Sequence, residues 1–117
     1  KKEVIQIAAH TQVWLGPCIG PEFFEVGAEV RNIFVAHDPA AAQCFVPISI
    51  LNTKYLANLP QLARQRLEAL GMTAIFGNDG SEPWCTVRNA SRFFSHRRDA
   101  GRLGSSGRLA SSIWRDA

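Results

Sequence analysis

Two glycines and two prolines fall within six residues, Gly16-Pro-Cys-Ile-Gly-Pro21. No single helix or strand can run through such a cluster, so a defined turn must stand there. Before it, Val4 to Leu15 is mostly apolar and tolerant of β structure, and Thr11 to Leu15 reads as a buried strand with Trp14 in the core. After it, Pro21 can open a helix, because its missing N–H is not needed at the first helical position. Phe23, Val26, Gly27, Val30, Ile33 and Phe34 recur at helical spacing, which predicts a helix over 21–37. Gly27 on that apolar face suggests close approach of another element.

Asp38-Pro39 restarts a short helix over Ala40 to Cys44, with Asp38 as N-cap. Phe45 to Tyr55 reads as irregular or extended. The clearest helix spans 58–70: Asn58 caps it, Leu59, Leu62, Ala63, Leu67 and Leu70 form its apolar stripe, and Gly71 ends it. Met72 to Phe76 is a short apolar strand. Asn78 to Pro83 is a loop, Trp84 to Val87 and Arg92 to His96 are short strands, and Arg108 to Arg115 is a final strand. Residues 1–117 thus read as one α/β domain, a layered mixed β-sheet flanked by helices. With 46% hydrophobic and 20% charged residues, the chain has apolar material for one core.

Three segments carry a family signal. The first is Trp14 to Pro21 followed by Phe24-Glu-Val-Gly27. The second is Lys54-Tyr-Leu-Ala-Asn-Leu59 running into Leu62 to Leu67. The third is Cys85-Thr86, then Phe93-Phe-Ser-His-Arg-Arg-Asp99, then Ser106-Gly-Arg-Leu-Ala-Ser111 and Ile113-Trp114. In this order the chain resembles the C-terminal half of the laccase-domain family, also called YfiH-like or polyphenol oxidase family proteins. The resemblance implies a mixed α/β fold and a metal-dependent enzyme. Family members are described as purine nucleoside phosphorylases with adenosine deaminase activity, or as polyphenol oxidases, and a peptidoglycan-editing role is attributed to some. It implies zinc or copper, held by two His and one Cys in the other half, in Val-His-Gly, Ala-Asp-Cys and His-x-Gly-Trp segments. None of these occurs here, so no metal ligand is assigned to this chain. The stretch from Asp99 to Gly107 is longer than the family's short Thr-Gly-Arg link.

The residues themselves leave the site open. Arg97, Arg98 and Arg108, with Ser105, Ser106 and Gly107, could bind phosphate, because arginine offers a planar fork and glycine lets backbone N–H groups approach an anion. The alternative is a solvated turn in which Arg97 or Arg98 pairs with Asp99 or Asp116. Gly16 to Gly20 could line a pocket or simply connect two elements. Cys18 and Cys85 have no visible base and read as buried or half-buried thiols. His96 could accept a proton or be an exposed histidine, and Phe93-Phe94 reads as core. No residue is assigned a catalytic role. His10, His37 and His96 are far apart, and the three cysteines are widely spaced, which predicts neither a local metal site nor a disulfide framework.

Net charge is +3, and it concentrates in residues 60–117, which hold nine Lys/Arg against five Asp/Glu. The arginines gather near one Gly/Ser-rich loop, which suits a small anion more than nucleic acid. The expected partners are a purine nucleoside, phosphate or phenol, with no nucleic acid and no membrane, and either the N-terminal half of the same protein or a homo-oligomer partner. The chain opens on Lys1 without a signal-peptide pattern, which predicts a cytoplasmic location and a start inside a longer product or a trimmed one. An inactive fragment or a binding module is the reading from outside the enzyme class.

Overall fold

The computed structural model of the chain describes residues 7–103. The α/β class holds, but the strands divide between two sheets where the sequence suggests one. Strands β1 (Gln12–Leu15) and β5 (Ala74–Gly77) form a parallel pair, while β2 (Glu25–Gly27), β4 (Lys54–Ala57) and β3 (Phe45–Pro47) form an antiparallel sheet in the order β2-β4-β3. Helices α1 (Ala28–His37), α2 (Leu59–Ala69) and α3 (His96–Leu103) join them.

The core lies on the antiparallel sheet. Val26, Ala41, Cys44, Phe45, Tyr55, Ala57 and Leu62 are buried together, with Phe24, Ala28, Val30 and Phe34 packed around them. Phe45 stands edge-on to Tyr55 with ring centroids 6.4 Å apart, and the Phe34 ring, tilted by 49°, lies 5.9 Å from that of Phe45. Such tilted contacts let the positive ring edge meet a negative ring face.

The helix expected over 21–37 begins only at Ala28. Residues 21–23 turn, and Glu25–Gly27 pairs with Lys54–Leu56. Val26 keeps the apolar spacing because strand and helix face the same core, so the sequence period runs through the junction. The Ala28 N–H, which a longer helix would satisfy internally, donates to the Thr53 carbonyl at 3.1 Å. Ile33 is 70% exposed, outside the core that the helical stripe predicts. Asp38 caps a 3-10 turn, Pro39–Cys44, through its side chain to the Ala40 N–H.

Helix α2 follows its sequence closely. The Asn58 Oδ1 accepts the Gln61 N–H at 3.1 Å, and Pro60 fits the first turn. At the far end, the Gly71 N–H donates to the Glu68 carbonyl and the Met72 N–H to that of Leu67, with Gly71 at φ 92°. That Schellman arrangement needs the left-handed backbone glycine adopts freely. Leu62 is buried, but Leu59, Ala63 and Leu67 are only half-buried and Leu70 is exposed.

Three further expectations are corrected. Trp14 is 56% exposed, so β1 is not a buried strand. Trp84 to Val87 contributes a 3-10 turn (Glu82–Trp84) and one bridge at Cys85, because Pro83 starts the turn and the Asn89 amide ties down the Glu82 and Cys85 carbonyls. Arg92 to His96 is a turn leading into α3. Ser95 caps that helix: its Oγ accepts the Arg98 N–H, and its own N–H donates to Asp99. The expected strand over 108–115 lies outside the described residues.

Candidate functional site

The parallel register of β1 and β5 ends at Leu15 opposite Gly77, so both strands release their loops on one side. The loops are Gly16–Pro21 and Asn78–Ser81. In open α/β sheets, ligands bind beyond the carboxyl ends of parallel strands, where such loops converge. Asn78, 2% exposed, fastens the two together. Its amide donates to the Gly16 carbonyl at 2.9 Å and to the Cys18 sulfur at 3.3 Å, and its Oδ1 accepts the Gly80 N–H at 2.9 Å. From α2, the Arg64 guanidinium reaches the carbonyls of Ile75, Gly77 and Asn78 and holds the end of β5.

The Gly16–Pro21 loop is held on its other side by Cys85. The two chains bridge at Cys18 and Cys85: the Cys18 N–H donates to the Trp84 carbonyl, and the Thr86 N–H to the Cys18 carbonyl. The buried Cys85 sulfur accepts the Gly20 N–H at 3.3 Å. Cys18 is half-buried, and burial pushes its thiol pKa up, against the Asn78 hydrogen bond that lowers it. It therefore stays protonated at neutral pH, and its burial agrees with the half-buried thiol that the sequence suggests.

Arg97 and Arg98, adjacent in the first turn of α3, do different things. Every N–H of Arg98 is engaged: Nε and one terminal nitrogen on Asp99 at 2.7 and 2.9 Å, and the remaining donors on the carbonyls of Thr86, Val87 and Phe93. Its side chain is 13% exposed. The Arg98 guanidinium thus ties the Cys85–Val87 segment to the start of α3. Arg97 is exposed. One terminal nitrogen donates to the Glu25 carbonyl at 2.9 Å, and its guanidinium lies 5.4 Å from the centre of the Phe24 ring.

His96 is exposed, as is Phe94, while Phe93 is half-buried, so Phe93-Phe94 is not the core pair the sequence suggests. Arg108, Ser105, Ser106 and Gly107 lie outside the described residues. The sequence reading missed Asn78 and Arg64, although Asn78-Asp-Gly80 after an apolar strand is a turn signal that singles out the asparagine. Among the described residues no three His, Cys, Asp or Glu side chains converge to hold a metal ion. The Cys85 sulfur accepts backbone N–H groups from Gly20 and Arg88, and no third ligand joins Cys18 and Cys85, so the described residues do not fit a zinc or copper centre. Among them, too, no helix is long and apolar enough to cross a membrane.

The model of the family described as multi-copper polyphenol oxidoreductase laccase matches residues 1–116. The chain belongs to this family. Within it, the chain is 50% identical over 101 residues to a Shigella flexneri protein named purine nucleoside phosphorylase YfiH, covering 86% of the chain and 37% of that protein. An Escherichia coli protein of the same name is 48% identical over the same shares. The crystal structure of a Neisseria meningitidis protein superposes with a TM-score of 0.65 at 41% identity, over 74% of this chain and 33% of that one. The chain therefore spans about a third of the length of these proteins.

Proposed function

We propose that the chain forms part of the substrate pocket of an enzyme that cleaves purine nucleosides with phosphate, in the cytoplasm, with Arg97 facing the anion. The names of the relatives suggest the reaction. The observation that carries the site is the division of work between Arg97 and Arg98. Arg98 is consumed by its own chain, whereas Arg97 is exposed and steadied by the Glu25 carbonyl and the Phe24 ring. In phosphorolysis a phosphate oxygen bonds to ribose C1′ as the bond from C1′ to the base nitrogen breaks, and ribose 1-phosphate and free base leave. A multiply charged nucleophile is held best by a planar, bidentate cation. Arg108, Ser106 and Gly107 would complete the anion site. Any zinc or copper would be held by residues outside this chain.

The test uses a full-length relative that carries the Phe93–Asp99 segment. Arg97→Lys should raise the KM for phosphate in inosine cleavage by about tenfold or more, with the Tm unchanged. Arg98→Lys should lower the Tm and leave the phosphate KM alone. An unchanged phosphate KM in Arg97→Lys defeats the assignment.

The family description favours a second reading, oxidation of phenols. Oxygen uptake with a phenol in a copper-loaded relative, without phosphate dependence, would select it.

A further inference from the structure

The fold brings together two cysteines that the sequence keeps far apart. Cys18, in the Gly16–Pro21 loop, and Cys85, just after the Glu82–Trp84 turn, are partners in a parallel bridge. The Cys18 N–H donates to the Trp84 carbonyl at 3.2 Å, and the Thr86 N–H to the Cys18 carbonyl at 2.9 Å, so the two chains run side by side here. Neighbouring strands lie about 4.7–4.9 Å apart, and a disulfide joins Cα atoms about 4.4–6.8 Å apart. Residues paired across a ladder also turn their side chains to the same face.

The sulfurs are placed to meet. Both are free thiols. The Asn78 amide donates to the Cys18 sulfur at 3.3 Å, and the Gly20 N–H, from the same loop as Cys18, donates to the Cys85 sulfur at 3.3 Å. The Cys85 sulfur therefore already lies against the loop that carries Cys18. Burial raises the Cys18 pKa most, and charge on Cys85 adds to the rise, so each sulfur lies within the field of the other. Cys18 is half-buried and Cys85 is 4% exposed, so a reagent reaches Cys18 first. Cys44 stands apart, 2% exposed in the core on the antiparallel sheet.

We propose that Cys18 and Cys85 form a redox-active pair, which a small-molecule disulfide converts to a cross-link between the Gly16–Pro21 loop and the Cys85–Val87 segment. The Cys18 thiol loses its proton to water, and the thiolate attacks one sulfur of the small disulfide. That S–S bond breaks, and the first small thiolate leaves and takes up a proton. The Cys85 thiolate then attacks the Cys18 sulfur of the mixed disulfide, and the second small thiolate leaves in the same way. The two cysteines together lose two electrons and two protons, and the small disulfide gains both as it becomes two thiols. The raised Cys18 pKa makes the first step slow at neutral pH and faster as the pH climbs. The second step is intramolecular. The inference is independent of the reaction proposed above, since it concerns the thiols alone.

The test equilibrates the purified protein at pH 8 with glutathione buffers of rising disulfide fraction. Acid quenching and alkylation block the remaining thiols, and the peptides are mapped without reduction. A peptide holding Cys18 should appear linked to one holding Cys85, with Cys44 alkylated and the intact mass lower by two hydrogens. The oxidised protein should melt several degrees above the reduced one, because the link closes a long loop in the unfolded chain. Amide exchange in the Gly16–Pro21 loop should slow by about tenfold or more. Cys18→Ser should abolish the link and the rise in Tm, whereas Cys44→Ser should keep both. If a variant fails to fold, the wild-type peptide map decides alone. A mixed glutathione adduct that persists on Cys18, a link that involves Cys44, or thiols still free in the most oxidising buffer would overturn the proposal.

Discussion

Arg98 grips its own neighbour in the chain, Asp99, through two hydrogen bonds of 2.7 and 2.9 Å, and Asp99 in turn accepts the N–H of Ser95. The pair thereby caps α3 and holds the carbonyls of Thr86 and Val87 at once. Asp99→Asn should lower the Tm by several degrees and speed amide exchange in the first turn of α3. A Tm equal to wild type would show that the Arg98 carbonyl contacts suffice alone.

Leu62 is 4% exposed in the core, while Leu67 on the same stripe is half-buried. Leu62→Ala should cost about 2–5 kcal/mol, and Leu67→Ala clearly less, since fewer neighbours are lost around it. Urea denaturation of the two variants checks the order. Equal losses would place Leu67 in a core that the present packing does not contain.

Asn78→Ala leaves the half-buried Gly16 carbonyl and the Gly80 N–H without their partner. The expected loss is about 1–3 kcal/mol, with faster exchange in both loops. At the preceding position, Gly77 has φ 94°, and an added Cβ would run into the Leu15 carbonyl. Gly77→Ala should therefore destabilise the β1–β5 end as well. If neither variant changes thermal stability, the two loops are not coupled through this junction.

Burial raises the pKa of both Cys18 and Cys44 above the ordinary thiol value of 9.0. The unfolded chain then deprotonates first. The stability these thiols lend is whole below that value and declines as the pH climbs from it toward the raised folded value. Iodoacetamide should modify both more slowly in the folded chain than in urea at pH 8. Equal rates would mean that the thiols are not shielded.

Helix α2 was legible in the sequence because its signals are local: a capping Asn58, an apolar stripe and a terminal Gly71 lie within one stretch. The same holds for the Asp38 cap and the β5 strand. The family too was legible, from the order of the Gly16–Pro21, Lys54–Leu67 and Phe93–Asp99 segments. The strand at Glu25–Gly27 was hidden, because Val26 keeps helical spacing to Val30 while its backbone is claimed by Tyr55, far along the chain.

By itself, then, the sequence determined the turn at Gly16–Pro21, the helix at Leu59–Ala69 and which family the chain belongs to, since these depend on neighbouring residues and on motif order. Tertiary structure alone decided that Arg98, not Arg97, is the arginine that pairs with Asp99, and that Arg97 is exposed. Both are arginines in the same helical turn, and their partners distinguish them: Asp99 and the carbonyls of Thr86, Val87 and Phe93 for Arg98, the Glu25 carbonyl and the Phe24 ring for Arg97. It also decided that Trp14 faces outward, because the side of β1 that is covered depends on elements brought up from elsewhere in the chain.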